Sequence, residues 1–196
     1  MFRYFRLLIR ELRSKTGRFR LKFYIIRNLP GDSGFHIRKK IISKQFGSVG
    51  KNITINTGLQ INNIEKLFIG DGVILGVDNF FQAGGEIEIG DETCFGPDVR
   101  VWSQNHKFDD PDIAVYKQGY DFKKVTIGKR CWIGANVFIM PGAELGDGCI
   151  VSAGAVVGAK KFPPYSILAG NPARFIGKRE RKEDTESTEN SDSSKE

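Results

Sequence analysis

Aliphatic side chains recur at every sixth residue through the second half of the chain. From Ile127 the register runs through Ile133, Ile139, Leu145, Val151 and Val157 without a break. A small residue often follows, as at Gly128, Gly134, Gly146, Ser152 and Gly158, and four positions along stand Cys131, Val137, Ala143, Cys149 and Ala155. Earlier, Ile69, Leu75, Phe81 and Ile87 keep the same step; Ile89, Phe95 and Val101 continue two residues out of phase; Val49, Ile55, Ile61 and Leu67 form a third set. An amphipathic helix needs a period of about 3.6 and a half-buried strand a period of about 2. Six residues instead fit a short strand and a sharp bend, with one aliphatic turned inward and glycine taking corner conformations that other residues reach at a cost. Three such sides make a triangular coil, and the two-residue slips read as one longer corner per turn. The core of such a solenoid is buried only between stacked coils.

Other patterns flank the ladder. Residues 2–13 place Phe2, Phe5, Leu8, Ile9 and Leu12 on one side of a helix and Arg3, Arg6, Arg10 and Arg13 on the other. Leu29-Pro30-Gly31 is a break, and a second amphipathic segment runs from Phe35 to Phe46. These read as a basic arm and cap over residues 1–46, a solenoid over 47–177, and a charged tail over 178–196. The tail has almost nothing apolar to offset its ordering entropy and is expected to be disordered. Between Val101 and Val125 the ladder stops, and residues 102–124 form a long protruding loop, the usual place for function on a regular solenoid.

Charge sharpens this division. Residues 1–44 carry thirteen Lys or Arg against Glu11 and Asp32, so much of the net charge of +7 belongs to the arm. Basic and apolar side chains on opposite sides of residues 1–13 suit an anionic membrane surface, and equally a helix capping the solenoid's open end. No known nucleic-acid-binding motif is present, so nucleic acid is not expected as a partner. No apolar run is long enough to span a bilayer, and arginines interrupt any signal-peptide core. Three cysteines without a Cys-x-x-Cys pair argue against a disulfide framework and fit a reducing cytoplasm, with association to the inner face of the membrane as a further expectation.

The chemistry centres on the loop. His106 stands at its start, and the chain's other histidine is His36. An imidazole is suited to take a proton near neutral pH. Trp102, Phe108, Tyr116 and Tyr120, beside carboxylates such as Asp109 and Asp110, offer a surface for a sugar. Asp109 and Asp110 could also hold the histidine ring. Cys131 and Cys149 share one repeat position and are expected to stack in the core as small residues.

The ladder resembles the hexapeptide-repeat superfamily, and the stretch from Ser103-Gln-Asn-His106 to Gly170-Asn-Pro-Ala-Arg174 is similar to the maltose/galactoside and O-antigen or capsule sugar O-acetyltransferases. That resemblance implies an all-β, left-handed parallel β-helix; the hand comes from it alone, since the general crossover rule favours the right. It implies acetyl-CoA as co-substrate with no metal, and a homotrimer with sites between subunits. It makes His106, seventeen residues after the Ile of Ile89-Gly-Asp, the general base for direct attack on the thioester. Trp132-Ile-Gly-Ala135 matches the family's Trp-Ile-Gly-small motif, which implies Trp132 and Ala135 at the cofactor and the Ala135 amide as oxyanion donor. Ala153 matches the pantetheine contact, and Lys160, Arg174 and Lys178 are the phosphate candidates. The family's acceptor-facing Asn on the preceding coil falls on Gly76 by a gapless count, which leaves Asp78 and Asn79 as nearby candidates. The acceptor is then a sugar hydroxyl, in surface polysaccharide or glycolipid synthesis. N-acetylation of an amino sugar and a non-catalytic binding scaffold are the alternatives, and two histidines are too few for the zinc-binding members of this fold.

Overall fold

The computed structural model describes residues 2–180; the expected disordered tail lies outside the described residues beyond Glu180. The ladder folds into three parallel sheets wrapped around a triangular core. The first face stacks Ser48–Val49, Leu67–Ile69, Ile87–Ile89, Val125–Ile127, Glu144–Leu145 and Lys161–Phe162. The second stacks Thr54–Ile55, Ile74–Leu75, Cys94–Phe95, Trp132–Ile133, Ile150–Val151 and Ser166–Ala169, with Arg174–Lys178 returning antiparallel as a seventh strand. The third stacks Gln60–Asn62, Phe80–Gln82, Arg100–Trp102, Phe138–Ile139 and Val156–Val157. The chain passes from first to second to third face in each coil, for about six coils, and every hexad aliphatic points inward. Ile55, Leu75, Phe81, Ile133 and Ile139 are all fully buried.

The two-residue slips have a single location. They fall at the corner from third to first face in the first three coils, where Ile64–Lys66 forms a short 3-10 turn, Ala83–Glu86 a wide bend, and 103–124 the protruding loop. From Val125 to Val157 that corner needs no extra residues and the register is unbroken; the next corner is one residue shorter, so Phe162 pairs with Leu145 and Leu168 with Val151. Cys131 and Cys149 stack at the first-to-second corner, buried, with Cys131 Sγ 3.2 Å from the Gly146 carbonyl. The hydrogen bond with Cys149, together with burial, pushes the Cys131 thiol up, which suits a core residue and not a nucleophile.

The arm is three helices: α1 (Phe2–Arg13), α2 (Lys15–Ile26) and α3 (Gly31–Ile42). Ser14 caps α2, its hydroxyl accepting from Gly17 N–H at 2.8 Å. Helix α2 was not legible in the sequence, because the apolar residues of Lys-Thr-Gly-Arg-Phe-Arg-Leu-Lys-Phe-Tyr-Ile-Ile spread around the helix instead of forming one stripe. Helix α3 begins at the break and lies against the first coil. Its Arg38, 3% exposed, donates from Nε to the Ile55 carbonyl at 3.0 Å and from a terminal nitrogen to the Leu29 carbonyl. One cation thereby joins the α2–α3 turn, α3 and the solenoid. Gly34 makes that approach possible, since a Cβ there would stand 2.1 Å from the Leu29 carbonyl oxygen. The cap is incomplete: Val49 is exposed and Ile61 is half-buried although both lie on the ladder.

Candidate active site

The protruding loop is built as a hairpin. Gln104–His106 pairs antiparallel with Tyr120–Phe122, placing His106 opposite Tyr120. The hairpin root sits on Gly84 and Gly85, where a Cβ would meet Gln104 Oε1 at 1.9 Å and the Ser103 carbonyl at 2.2 Å. Ser103 locks the root from the other side, its hydroxyl donating to the Gln82 carbonyl and accepting from Gly85 N–H, both at 2.9 Å. A bend with no side chains is what lets this corner carry an insertion without separating the coils.

His106 is half-buried. Its ring lies on that of Tyr120, centroids 4.5 Å apart and planes inclined by 35°. Its Nδ1 is enclosed and has no hydrogen-bond partner among the described residues, which leaves Nε2 as the nitrogen to meet a substrate. The carboxylates do not hold the ring. Asp109 is exposed, while Asp110 organises the loop, its Oδ1 accepting from Asp112 N–H at 2.9 Å and its N–H donating to Gln118 Oε1 at 3.0 Å. Tyr116, 73% exposed, stands at the outer part of the loop away from the imidazole. The aromatic that meets His106 is Tyr120, which strand register selects.

Beside the root, the outer surface of the third face carries an aromatic column. Trp102 lies between Phe80 on the coil before and Phe138 on the coil after, with ring centroids 6.1 Å and 5.5 Å away. Gln82 is the in-register neighbour of Trp102 one coil earlier. Gln82 Oε1 and Trp102 Nε1 are both buried, and neither has a hydrogen-bond partner among the described residues. An unsatisfied acceptor beside an unsatisfied donor is costly unless a water or ligand bridges them. A sugar hydroxyl can both donate and accept, so it fits. Gln82 was not among the candidates named from the sequence.

Asp78 and Asn79 stand at the second-to-third corner. Asn79 is fully buried; its Nδ2 donates to the Gly96 carbonyl at 2.8 Å, and its Oδ1 has no hydrogen-bond partner among the described residues. Asp78 is exposed in a left-handed corner conformation with φ of 55°, on the corner between second and third faces. The hairpin is on the corner between third and first.

The cofactor candidates divide in the same way. Ala135 and Ala153 stack on the second-to-third corner in successive coils, with Gly154 N–H donating to the Ala135 carbonyl at 2.8 Å. Among the described residues the Ala135 N–H donates to no acceptor, so it can meet a ligand. Gly170 continues the edge, its carbonyl accepting from Val156 N–H at 3.0 Å, so small residues line it. Trp132, 62% exposed, projects from the adjoining second face. Arg174 and Lys178 bound the exposed return strand on that face. These groups can hold an extended ligand with amides along its length and phosphates at its end. Lys160 is elsewhere, exposed on the third-to-first corner, the edge that carries His106. In one chain the proposed base and the proposed oxyanion donor therefore belong to different edges of the prism.

The bacterial transferase hexapeptide (six repeats) family matches residues 124–159. WcaF of Escherichia coli K12, which carries the name of a colanic acid biosynthesis acetyltransferase, is 30% identical over 142 residues, 72% of this chain and 75% of that protein. The Mycobacterium tuberculosis protein Rv3034c, also named for acetyl transfer, is 35% identical over 115 residues; the match spans 59% of this chain and 38% of that longer one. Among solved structures, a maltose O-acetyltransferase from Clostridium difficile 630 superposes with a TM-score of 0.75 at 30% identity, covering 89% of both chains. A galactoside acetyltransferase in complex with coenzyme A superposes with a TM-score of 0.71 at 25% identity, covering 82% of this chain and 80% of that one.

Proposed function

This chain belongs to the hexapeptide-repeat acetyltransferases, and we propose that it moves an acetyl group from acetyl-CoA to a sugar hydroxyl with His106 as general base. The observation that carries this reading is the half-buried imidazole held on Tyr120 in the hairpin that follows Trp102, whose Nε1, like Gln82 Oε1 one coil earlier, lacks a partner among the described residues. One acceptor hydroxyl is oriented by that pair. A second gives its proton to His106 Nε2 as its oxygen attacks the thioester carbon. The Ala135 N–H stabilises the oxyanion, and collapse expels the CoA thiolate, which recovers the proton from His106. The products are the acetylated sugar and the free thiol, and no protein nucleophile takes part.

The two edges meet between subunits. His106 and Lys160 of one chain face the Ala135–Ala153 edge, Trp132, Arg174 and Lys178 of the next, in a trimer with three sites. Sedimentation equilibrium tests this arrangement: the expected mass is three chains, and a fully active monomer contradicts it. The helical arm brings the trimer to an anionic membrane through residues 1–13, where Leu7 and Leu12 are exposed among arginines. Glycans under assembly at such a surface are the expected acceptors.

A thiol-release assay with acetyl-CoA and a panel of maltose, galactosides, amino sugars and polysaccharide fragments tests the activity. Turnover with a hydroxyl acceptor is expected. Preference for the amine of an amino sugar would move the reading to N-acetylation, and CoA binding without turnover on any acceptor would favour a binding scaffold.

A further inference from the structure

The incomplete cap leaves a cavity of about 500 Å³ between α2 and the first coil, a size typical of small-molecule sites. Its apolar walls are Phe19 and Phe23 from α2 and Ile61 and Ile64 from the solenoid; Arg20 and Glu65 supply charge. Phe23, Ile61 and Ile64 are only partly buried, although all three pack against the core. Solenoids need their ends covered, so a gap lined by core side chains calls for an apolar occupant.

Charge narrows what that occupant is. Helices α1 and α2 carry eight Lys or Arg and one acid, Glu11. Tyr24, in the cavity wall beside Arg20, is exposed on α2, and Leu21 and Ile25 on the same helix and Leu7 and Leu12 on α1 are exposed elsewhere on the arm. A cationic, apolar rim over an apolar cavity complements an anionic head on a hydrocarbon chain.

Position connects this cavity to the proposed chemistry. Ile64 and Glu65 belong to the third-to-first corner of the first coil, on the edge that carries the His106 hairpin two coils further on. At one strand spacing per coil that is about 10 Å along the edge. Lys66 spans the interval: its Nζ donates to the Gly84 carbonyl at 2.9 Å and lies 6.0 Å from the ring centroid of Phe122 in the hairpin.

We infer that this cavity holds the hydrocarbon chain of an anionic amphiphile, and that this amphiphile carries the sugar to be acetylated. Arg20 and Lys66 lie along its anionic linkage, and the sugar reaches up the edge to His106. The inference rests on the sugar acetyl-transfer reading for its second half only.

Dodecyl phosphate titrated into full-length His106→Ala protein, followed by calorimetry, tests the cavity without any turnover. Saturable binding of one molecule per chain is expected, uncompeted by inorganic phosphate. Asn62→Trp, which fills the lining, is expected to weaken binding by about tenfold or more, with the thermal melt as a control for folding. Arg20→Gln carries the test if Asn62→Trp does not fold, and it is expected to weaken dodecyl phosphate while sparing an uncharged dodecyl ether. Non-saturable partitioning, or binding indifferent to both substitutions, overturns the inference. In the wild type, a dodecyl galactoside is expected to show a lower KM than the methyl galactoside. Equal values with dodecyl phosphate still bound would reduce the cavity to a lipid anchor and overturn the carrier role. Loss of dodecyl phosphate binding beside a His106-dependent reaction would sink the cavity and leave acetyl transfer standing.

Discussion

The imidazole of His106 rests on the ring of Tyr120, its partner across the hairpin, with centroids 4.5 Å apart. Among the described residues no carboxylate or carbonyl accepts from its Nδ1. Ring orientation is therefore set by packing within a two-stranded ribbon. Tyr120→Phe is expected to preserve kcat within about twofold, and Tyr120→Ala to lower it by about tenfold, at the lower end of what positioning a base contributes. Steady-state kinetics at saturating acetyl-CoA separate the two variants, and equal rates for both would remove Tyr120 from the site.

Gln82 and Trp102 make a second prediction. Gln82→Leu removes the unsatisfied acceptor and is expected to raise the KM for a sugar acceptor by about tenfold, the value of roughly one hydrogen bond at a buried site. The KM for acetyl-CoA should stay unchanged. A change confined to the acetyl-CoA KM would place Gln82 on the wrong side of the site.

Solenoid stability is tested in its middle. Ile139 is fully buried between Val101 and Val157 on the third face. Ile139→Ala is expected to cost about 2–5 kcal/mol, as large-to-small changes in tight cores do. Denaturant unfolding measures it, and a cost under about 1 kcal/mol would contradict the inward register.

At the first-to-second corner, Asp91 accepts from Asp71 N–H at 3.0 Å and pairs with Lys129 at 2.8 Å. The hydrogen bond from Lys129, then that from Asp71, holds its carboxyl below the usual range. A carboxyl depressed in the folded state adds stability above the unfolded value and loses it as pH falls. Asp91→Asn is therefore expected to lower Tm at neutral pH, with the difference closing as pH drops below about 4. A difference that persists in acid would assign the effect to something other than this charge.

Much of this was legible because a six-residue period assigns each residue both a column and a direction. It placed Ile133 and Ile139 inside, stacked Cys131 on Cys149, and isolated 102–124 as the excursion. Relations between columns were harder to see. A gapless count reached Gly76 and its neighbours Asp78 and Asn79, whereas the coil register is what brings Gln82 under Trp102. Phe80 and Phe138 alternate outward with the inward ladder and looked like further apolar positions, whereas Trp102 already stood out as a sugar-facing aromatic at the start of the excursion. Tyr116 and Tyr120 were equivalent loop aromatics until strand pairing chose between them. Helix α2 left no stripe to read, and with it the cavity over Ile61 was hidden.

The central claim is that His106 takes the acceptor's proton. Thiol release from acetyl-CoA, measured with a sugar acceptor for wild type and His106→Ala, tests it most directly. A fall in kcat of about 10²–10⁴ is expected, the contribution of a positioned general base, with the KM for acetyl-CoA and the mass in solution unchanged from wild type. Undiminished turnover in His106→Ala would contradict it.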